Sequence, residues 1–323
     1  MARKKRKAKK PDPNGPARKL IEVASHRTTG GIHIDGVTPY PAEHESYVGR
    51  YALATLALCH DVLEMRTEPF VEEYRDAQGK KRTYTPDILI RTPVSEIIIE
   101  MKPLSYLFLP SALKKYQEIA VHFALIKKRF AFLVDAQVED GPRFGNVKIL
   151  FRYAHSHMPD EALQKIKLWS GDRAIPINQL MTLLNIQLVE VYTAIAQKHL
   201  CINWNEPVSE DSLVSQPNSP LERLSIEQVL SASRYGPALE QLAVGITPTD
   251  KRVLAAGKNW RSKKVDLNPF SFAGGFQREK ALRDLTQDEL RVGTLWSRRD
   301  RAPGKAPHQT NITKKVAKDD KKN

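Results

Sequence analysis

Residues 84–102 read YTPDILIRTPVSEIIIEMK, and this stretch decides the fold. Its β-branched runs, broken by Pro93 and Ser95, predict two strands, 82–90 and 96–101, joined by a turn over 92–95. If Arg91 faces Glu96 across that turn, Asp87 comes to lie opposite Glu100. Side chains alternate along a strand, so Lys102 shares the face of Glu100. Two carboxylates and one lysine then converge at one end of an otherwise apolar hairpin. Carboxylates a few ångströms apart repel and raise each other's pKa. A divalent cation relieves that repulsion, and hard oxygen donors suit magnesium or manganese. Such a cation can polarise a phosphodiester, with the lysine orienting or deprotonating the attacking water. The plainer reading is a cross-strand ion pair in which Lys102 only neutralises Glu100, because short patterns of this kind are common. Three features favour the site: the Asp follows Pro86, the Glu-x-Lys closes an isoleucine-rich strand, and the expected preceding helix contains further acids.

Working outward, residues 42–60 carry no proline and place Val48, Ala52, Leu56 and Cys59 at helical spacing. Residues 70–75 and 82–90 flank a Gly79 turn and read as a hairpin. A helix is expected over 111–128, then strands over 129–134 and 147–153. The order αβββαβ makes a mixed α/β domain over 40–156. A second unit, 159–215, promises helices at 160–169, 176–184 and 187–200 and a strand at 201–204, a winged-helix-like, essentially all-α module. Residues 216–297 read as a partly helical extension, with Thr247-Pro248 as a helix start.

The chain has 323 residues, 51 Lys+Arg and 37 Asp+Glu, for a net charge of +14. All of that excess lies in residues 1–19 and 298–323, both expected to be disordered, and residues 20–297 balance. The body is thus near-neutral between two cationic ends that can seek phosphate, with Lys4, Lys5 and Arg6 the first candidates. Lys114 and Lys115 on the 111–128 helix, and Arg261, Lys263 and Lys264 around Trp260, are further DNA-binding candidates. The 160–214 stretch is net acidic and reads as scaffold rather than as a DNA reader. The longest apolar run, 51–59, is too short to span a bilayer, and the basic N-terminus has no apolar segment of a secretory signal. Two cysteines, Cys59 and Cys201, exclude a disulfide framework and a cysteine-based zinc site. His122, His155 and His157 form no zinc-ligand pattern, and no phosphate-binding Gly-x-x-x-x-Gly-Lys loop occurs.

Pro86-Asp87 and Glu100-Met101-Lys102 resemble the PD-(D/E)xK nucleases, and among them the TnsA-type transposon endonuclease subunit. The resemblance extends over roughly 40–215. It includes Val62, Glu68-Pro69 where that family has Gln-Pro, the 79–82 turn, and Asn146 ahead of the expected 147–153 strand. It implies a magnesium- or manganese-dependent DNA endonuclease that nicks the 5′ ends of a mobile element. A TnsB-type DDE transposase and a TnsC-type AAA+ ATPase would be its partners, in the bacterial cytoplasm and near the nucleoid, with no membrane and no small-molecule cofactor. Asp87, Glu100 and the Met101 carbonyl would hold the metal, and Lys102 would act on the water. The family's first helix reads Ser-x-x-Glu, whereas this chain has Ser46-Tyr47-Val48-Gly49. The missing acid is expected from Glu45, one turn back on the same helix, with Glu43 second. Two other readings share these residues: a stand-alone restriction or repair nuclease, and a non-catalytic DNA-binding scaffold, which Gly49 would permit.

Overall fold

The structure, a computed structural model, describes residues 15–18, 29–170, 173–217 and 221–249. The chain enters through two short antiparallel strands, β1 (Gly30–Ile32) and β2 (Ala42–His44), and then helix α1 (Tyr47–Leu58). Strand β3 (Glu64–Thr67) follows, then the ribbon β4 (Glu72–Arg75) and β5 (Lys81–Tyr84), then β6 (Ile88–Arg91) and β7 (Glu96–Met101). Helices α2 (Leu104–Leu107) and α3 (Pro110–Leu125) lead to β8 (Arg129–Leu133), and α4 (Asp135–Val138) and α5 (Gly141–Leu150) follow.

The main sheet has the order β3-β6-β7-β8, antiparallel except for the parallel β7–β8 pair. The sequence explains why β7 is central. Ile97 and Ile99 face one apolar cluster, with Met65, Ile88, Ile90 and α1. Ile98 faces the other, with Phe123, Phe130, Phe132 and α3. A strand buried on both faces needs a continuous apolar run, and Glu96–Met101 supplies one. The expected register holds: Arg91 pairs with Glu96 and Ile88 with Ile99, which brings Asp87 and Glu100 to the same end.

Three expectations are corrected. Residues 82–90 are not one strand: β5 pairs only with β4, and β6 lies in the main sheet, because Pro86 has no amide hydrogen to continue a ladder. The first core strand is instead β3, only four residues long, with Met65 and Thr67 buried between the more exposed Glu64 and Arg66. Residues 147–153 are not a strand: they complete α5 and a 3-10 turn, Phe151–Tyr153, since Pro142 at the second position starts a helix that the β-branched residues do not stop. The helix over 42–60 is shorter, beginning at Tyr47, because the Ser46 hydroxyl accepts from the Gly49 amide and caps it.

The second unit has α6 (Asp160–Leu168), β9 (Ile175–Pro176), α7 (Ile177–Leu184), α8 (Leu188–Ala196), β10 (Cys201–Ile202) and β11 (Leu213–Ser215). It is not all-α, since a three-stranded antiparallel sheet, β10-β11-β9, closes its own apolar core. Asn185 ends α7 in the left-handed conformation, turning the chain tightly into α8. Asn146 has a different task from the one expected ahead of a strand. Buried in α5, its amide group donates to the Glu206 carbonyl at 2.8 Å and accepts from the Val208 amide at 2.8 Å, fastening this unit to the α/β body.

Helices α9 (Ile226–Leu230) and α10 (Gly236–Ala243) also revise the reading of an extension. α9 packs on α1 and β8 and α10 on α3 and β8, covering the sheet from both sides. Asp61 accepts from the Ile226 amide at 3.0 Å and Arg129 clamps Glu227, so both helices belong to the body. Thr247 lies in irregular chain, its hydroxyl accepting from Gln117 at 2.6 Å, and the helix expected after it lies outside the described residues. No helix among the described residues is long and apolar enough to cross a membrane.

Candidate active site

The end of the β6–β7 pair gathers the residues singled out by sequence. Lys102 places its ammonium 2.8 Å from Asp87 Oδ2, 2.7 Å from Glu100 Oε1 and 2.9 Å from the Met101 carbonyl. The Met101 amide donates to Asp87 Oδ2 at 2.8 Å, which pins that carboxylate to the strand end. The Lys102 amide donates to the Leu133 carbonyl, so β8 holds the backbone of the motif from the other side.

Glu100 is nearly closed to solvent, its side chain 3 % exposed. Two phenols that sequence reasoning missed make this burial tolerable. The Tyr116 hydroxyl of α3 donates to Oε1 at 2.7 Å, and the Tyr84 hydroxyl donates to Oε2. Hydrogen bonds to an ionised acceptor are about twice as strong as neutral ones. Burial and the Glu100 charge push both phenols far above the usual tyrosine range, so they stay donors. Tyr84 stands in the quoted stretch, but nothing there distinguishes it from a core aromatic. Tyr116 shares the buried stripe of α3 with Ala112, Ile119 and Ala120 and carries no separate signal.

Charge crowding is visible in the protonation of the cluster. Burial, then the neighbouring Glu100 charge, push the Asp87 carboxyl up to about 7, against the pull of Lys102 and the Met101 amide. Burial would lower the Lys102 ammonium, but Glu100 and Asp87 outweigh it and hold it above the ordinary lysine value. Two carboxylates and a backbone carbonyl thus converge on one positive charge. That donor set is all hard oxygen, and the Asp87 carboxyl is raised first by burial and then by the Glu100 charge beside it. Both fit a small divalent cation. Among the described residues no group of three or more His, Cys, Asp and Glu side chains stands gathered as a finished metal cage.

The expected third acid is corrected in place. Ala42–His44 pair with Gly30–Ile32 as strands and Ser46 caps α1, so Glu43 lies in β2 and Glu45 precedes the helix. Glu45 therefore does not sit one turn back from Gly49 on a helical face. A Cβ at Gly49 would meet Ser46 Oγ at 3.2 Å and His44 Cβ at 3.4 Å, so the glycine is closely packed. The Glu43 amide donates to the Thr67 hydroxyl at 3.1 Å, tying β2 to the end of β3.

A carboxylate that sequence reasoning passed over as a site residue adjoins the motif through its backbone. Glu68, 2 % exposed, follows β3 with a left-handed φ of 47°, and its amide donates to the Asp87 carbonyl at 3.0 Å. Its carboxylate accepts from Arg18 Nη2 at 2.8 Å and Nε at 3.1 Å, while the Ala17 amide donates to its carbonyl at 2.7 Å. The stretch 15–18 of the arm expected to be disordered is thus seated on the site. The one available signal was Glu68 itself, standing where the resembled family has Gln.

Of the expected DNA contacts, Lys114 and Lys115 are exposed on α3, beside a shallow hollow shared with Tyr74, Arg82 and Ser111. Lys4, Lys5, Arg6, Arg261, Lys263 and Lys264 lie outside the described residues.

Comparison with known proteins meets this geometry. The family model "TnsA-like endonuclease N terminal" matches residues 59–131, from the end of α1 to β8, a stretch holding Glu68, Asp87, Glu100 and Lys102. Over those residues the chain is thus similar to the TnsA-like endonuclease N-terminal family, the family that the motif resembles. No curated protein matches the chain.

Proposed function

We propose that this protein is a magnesium- or manganese-dependent DNA endonuclease that hydrolyses a phosphodiester at the Asp87–Glu100–Lys102 site. The observation carrying this reading is the Lys102 ammonium held at 2.7–2.9 Å by Asp87, Glu100 and the Met101 carbonyl at one sheet end. Asp87, Glu100 and the Met101 carbonyl would hold the cation, which when bound supplies Lewis-acid polarisation of the scissile phosphate and a more acidic water. Tyr84 and Tyr116 hold the Glu100 carboxylate in place by donating to its two oxygens. Lys102, freed from part of its contact with the carboxylates, orients the attacking water and neutralises charge developing on the phosphate oxygens.

The match to a TnsA-like region supports a place in a Tn7-type transposition system with DNA as substrate. On that footing the protein nicks the 5′ ends of the element beside a TnsB-type transposase and a TnsC-type ATPase. The 159–215 unit, three helices and a small sheet with a net acidic sequence, is read as a winged-helix-like scaffold or docking surface. The two basic ends attract phosphate. A nicking assay with the assembled partners tests the reading: Asp87→Asn and Lys102→Ala should each lower cleavage by about 10²-fold or more. Undiminished nicking by either variant overturns the assignment. Cleavage by the isolated protein with magnesium would point instead to a stand-alone nuclease.

A further inference from the structure

We infer that Tyr47 and Phe144 form a stacking platform for unpaired nucleobases of DNA beside the Asp87–Glu100–Lys102 site, with Arg50 and Lys148 meeting the adjoining phosphates. The inference rests on the function proposed above and names the form of DNA taken there: a strand with unstacked bases next to the bond to be cut.

Three observations carry it. The first is place. Strands β7 and β8 are parallel with Met101 opposite Leu133, so the chain leaves β8 at the Lys102 end of the sheet. Asp135 accepts from the Leu104 amide there at 2.9 Å, and α4 and α5 follow and pack on α1. From the other side, the Glu43 amide bonds the Thr67 hydroxyl and the Glu68 amide bonds the Asp87 carbonyl. Those bonds bring the start of α1 to the same end, where it meets the first turn of α5.

The second observation is a row of three rings across that meeting. Tyr47 and Tyr51 lie 4.6 Å apart between centroids at 63°, and Tyr51 and Phe144 lie 5.2 Å apart at 75°. Tyr51 packs against the apolar core, whereas Tyr47 and Phe144 are half-buried and belong to none of the apolar clusters. A ring pinned on one side and wet on the other gives up little freedom when a base stacks on it. A Cβ at Gly145, next to Phe144, would meet nothing within 4 Å, so the chain faces open space there. The third observation is charge. The ammonium of exposed Lys148 stands 5.3 Å from the centroid of the Phe144 ring, and the Arg50 charge is felt at the Tyr47 hydroxyl. Lys148 can swing to a phosphate when a base takes the ring face. Rings interleaved with cations match a strand whose bases and phosphates alternate.

Packing of α1 on α5 alone would use the same rings, and DNA binding separates the two roles. Fluorescence anisotropy compares the full chain on two labelled DNAs without divalent cations, an intact duplex and a duplex carrying a single-stranded flap. The wild type should bind the flapped DNA more tightly. Tyr47→Ala and Phe144→Ala should each weaken binding to the flapped DNA about five- to a hundredfold and shift the intact duplex by no more than about twofold. Tyr47→Phe keeps the ring and should bind as wild type. Lys148→Ala should weaken binding to both DNAs and lower the salt slope by about 1. The inference is overturned by a wild type that does not prefer the flap, by ring variants that lose both DNAs equally or neither, or by Tyr47→Phe matching Tyr47→Ala. Circular dichroism checks folding. Should either alanine variant not fold, Phe144→Leu, apolar but without a ring face, takes its place: loss of the flap preference supports the platform and its retention overturns it. Nicking by Asp87→Asn is assayed alongside. If it falls while the ring variants bind as wild type, only the platform is lost; if it is undiminished, the proposed function falls and the binding comparison still decides the platform.

Discussion

Asp87→Asn should stabilise the protein while abolishing its cleavage. The carboxyl at this position is pushed from its ordinary value of 3.8 up to about 7, first by burial and then by Glu100. Between those values the folded state holds a proton that the unfolded chain has lost. Stability therefore falls as pH rises through that window, and the loss is complete above about 7. A displacement of this size weighs about 4 kcal/mol against the ionised folded form, at about 1.4 kcal/mol per pH step. Asparagine keeps the shape and a carbonyl acceptor for the Met101 amide, without the charge, but weakens the contact to Lys102. The net gain expected at pH 8 is roughly 1–3 kcal/mol, shrinking to nothing near pH 4. Urea unfolding of the wild type and variant from pH 4 to 9, with divalent cations removed, measures it. A variant less stable than wild type by the same amount at every pH would show that Asp87 is a structural ion-pair partner and not a carboxylate under repulsion. The sign matters for function, because a site destabilised by its own charge is one that a bound cation stabilises.

Other outcomes are expected from single contacts. Tyr116→Phe removes one of the donors to the buried Glu100 carboxyl group and should lower stability by about 1–3 kcal/mol, read by urea unfolding, while weakening manganese binding. Asn146→Ala strips the Glu206 carbonyl and Val208 amide of their partner and should cost about 1–3 kcal/mol; limited proteolysis should then cut first near 204–208. Gly79→Ala, at φ 76°, should loosen the β4–β5 ribbon by about 1 kcal/mol, seen as faster amide exchange in Lys81–Tyr84. Manganese affinity of the wild type should rise with pH through about 7, as the proton leaves Asp87, and should be flat in Asp87→Asn.

The residues that could be read without coordinates were those fixed by local rules. Pro86, the turn at 92–95 and the isoleucine run determine where β6 and β7 start and stop. Period-two alternation then obliges Asp87, Glu100 and Lys102 to meet. Charge bookkeeping along the chain likewise separated a neutral body from cationic ends. Tertiary structure decided the rest, because those features depend on neighbours distant in sequence. A Val-Lys-Ile-Leu-Phe run can be strand or helix by composition, and packing of α5 against α1 and α8 makes it helix. The Ser46 cap and the β1–β2 pairing withdrew Glu45 and Glu43 from the helical face that sequence assigned them. No local pattern links Arg18 to Glu68, or Tyr116 to Glu100, across 50 and 16 residues of chain. Those contacts exist because a buried carboxylate must find a donor or a positive charge wherever the fold brings one, and only the folded chain shows which one arrives.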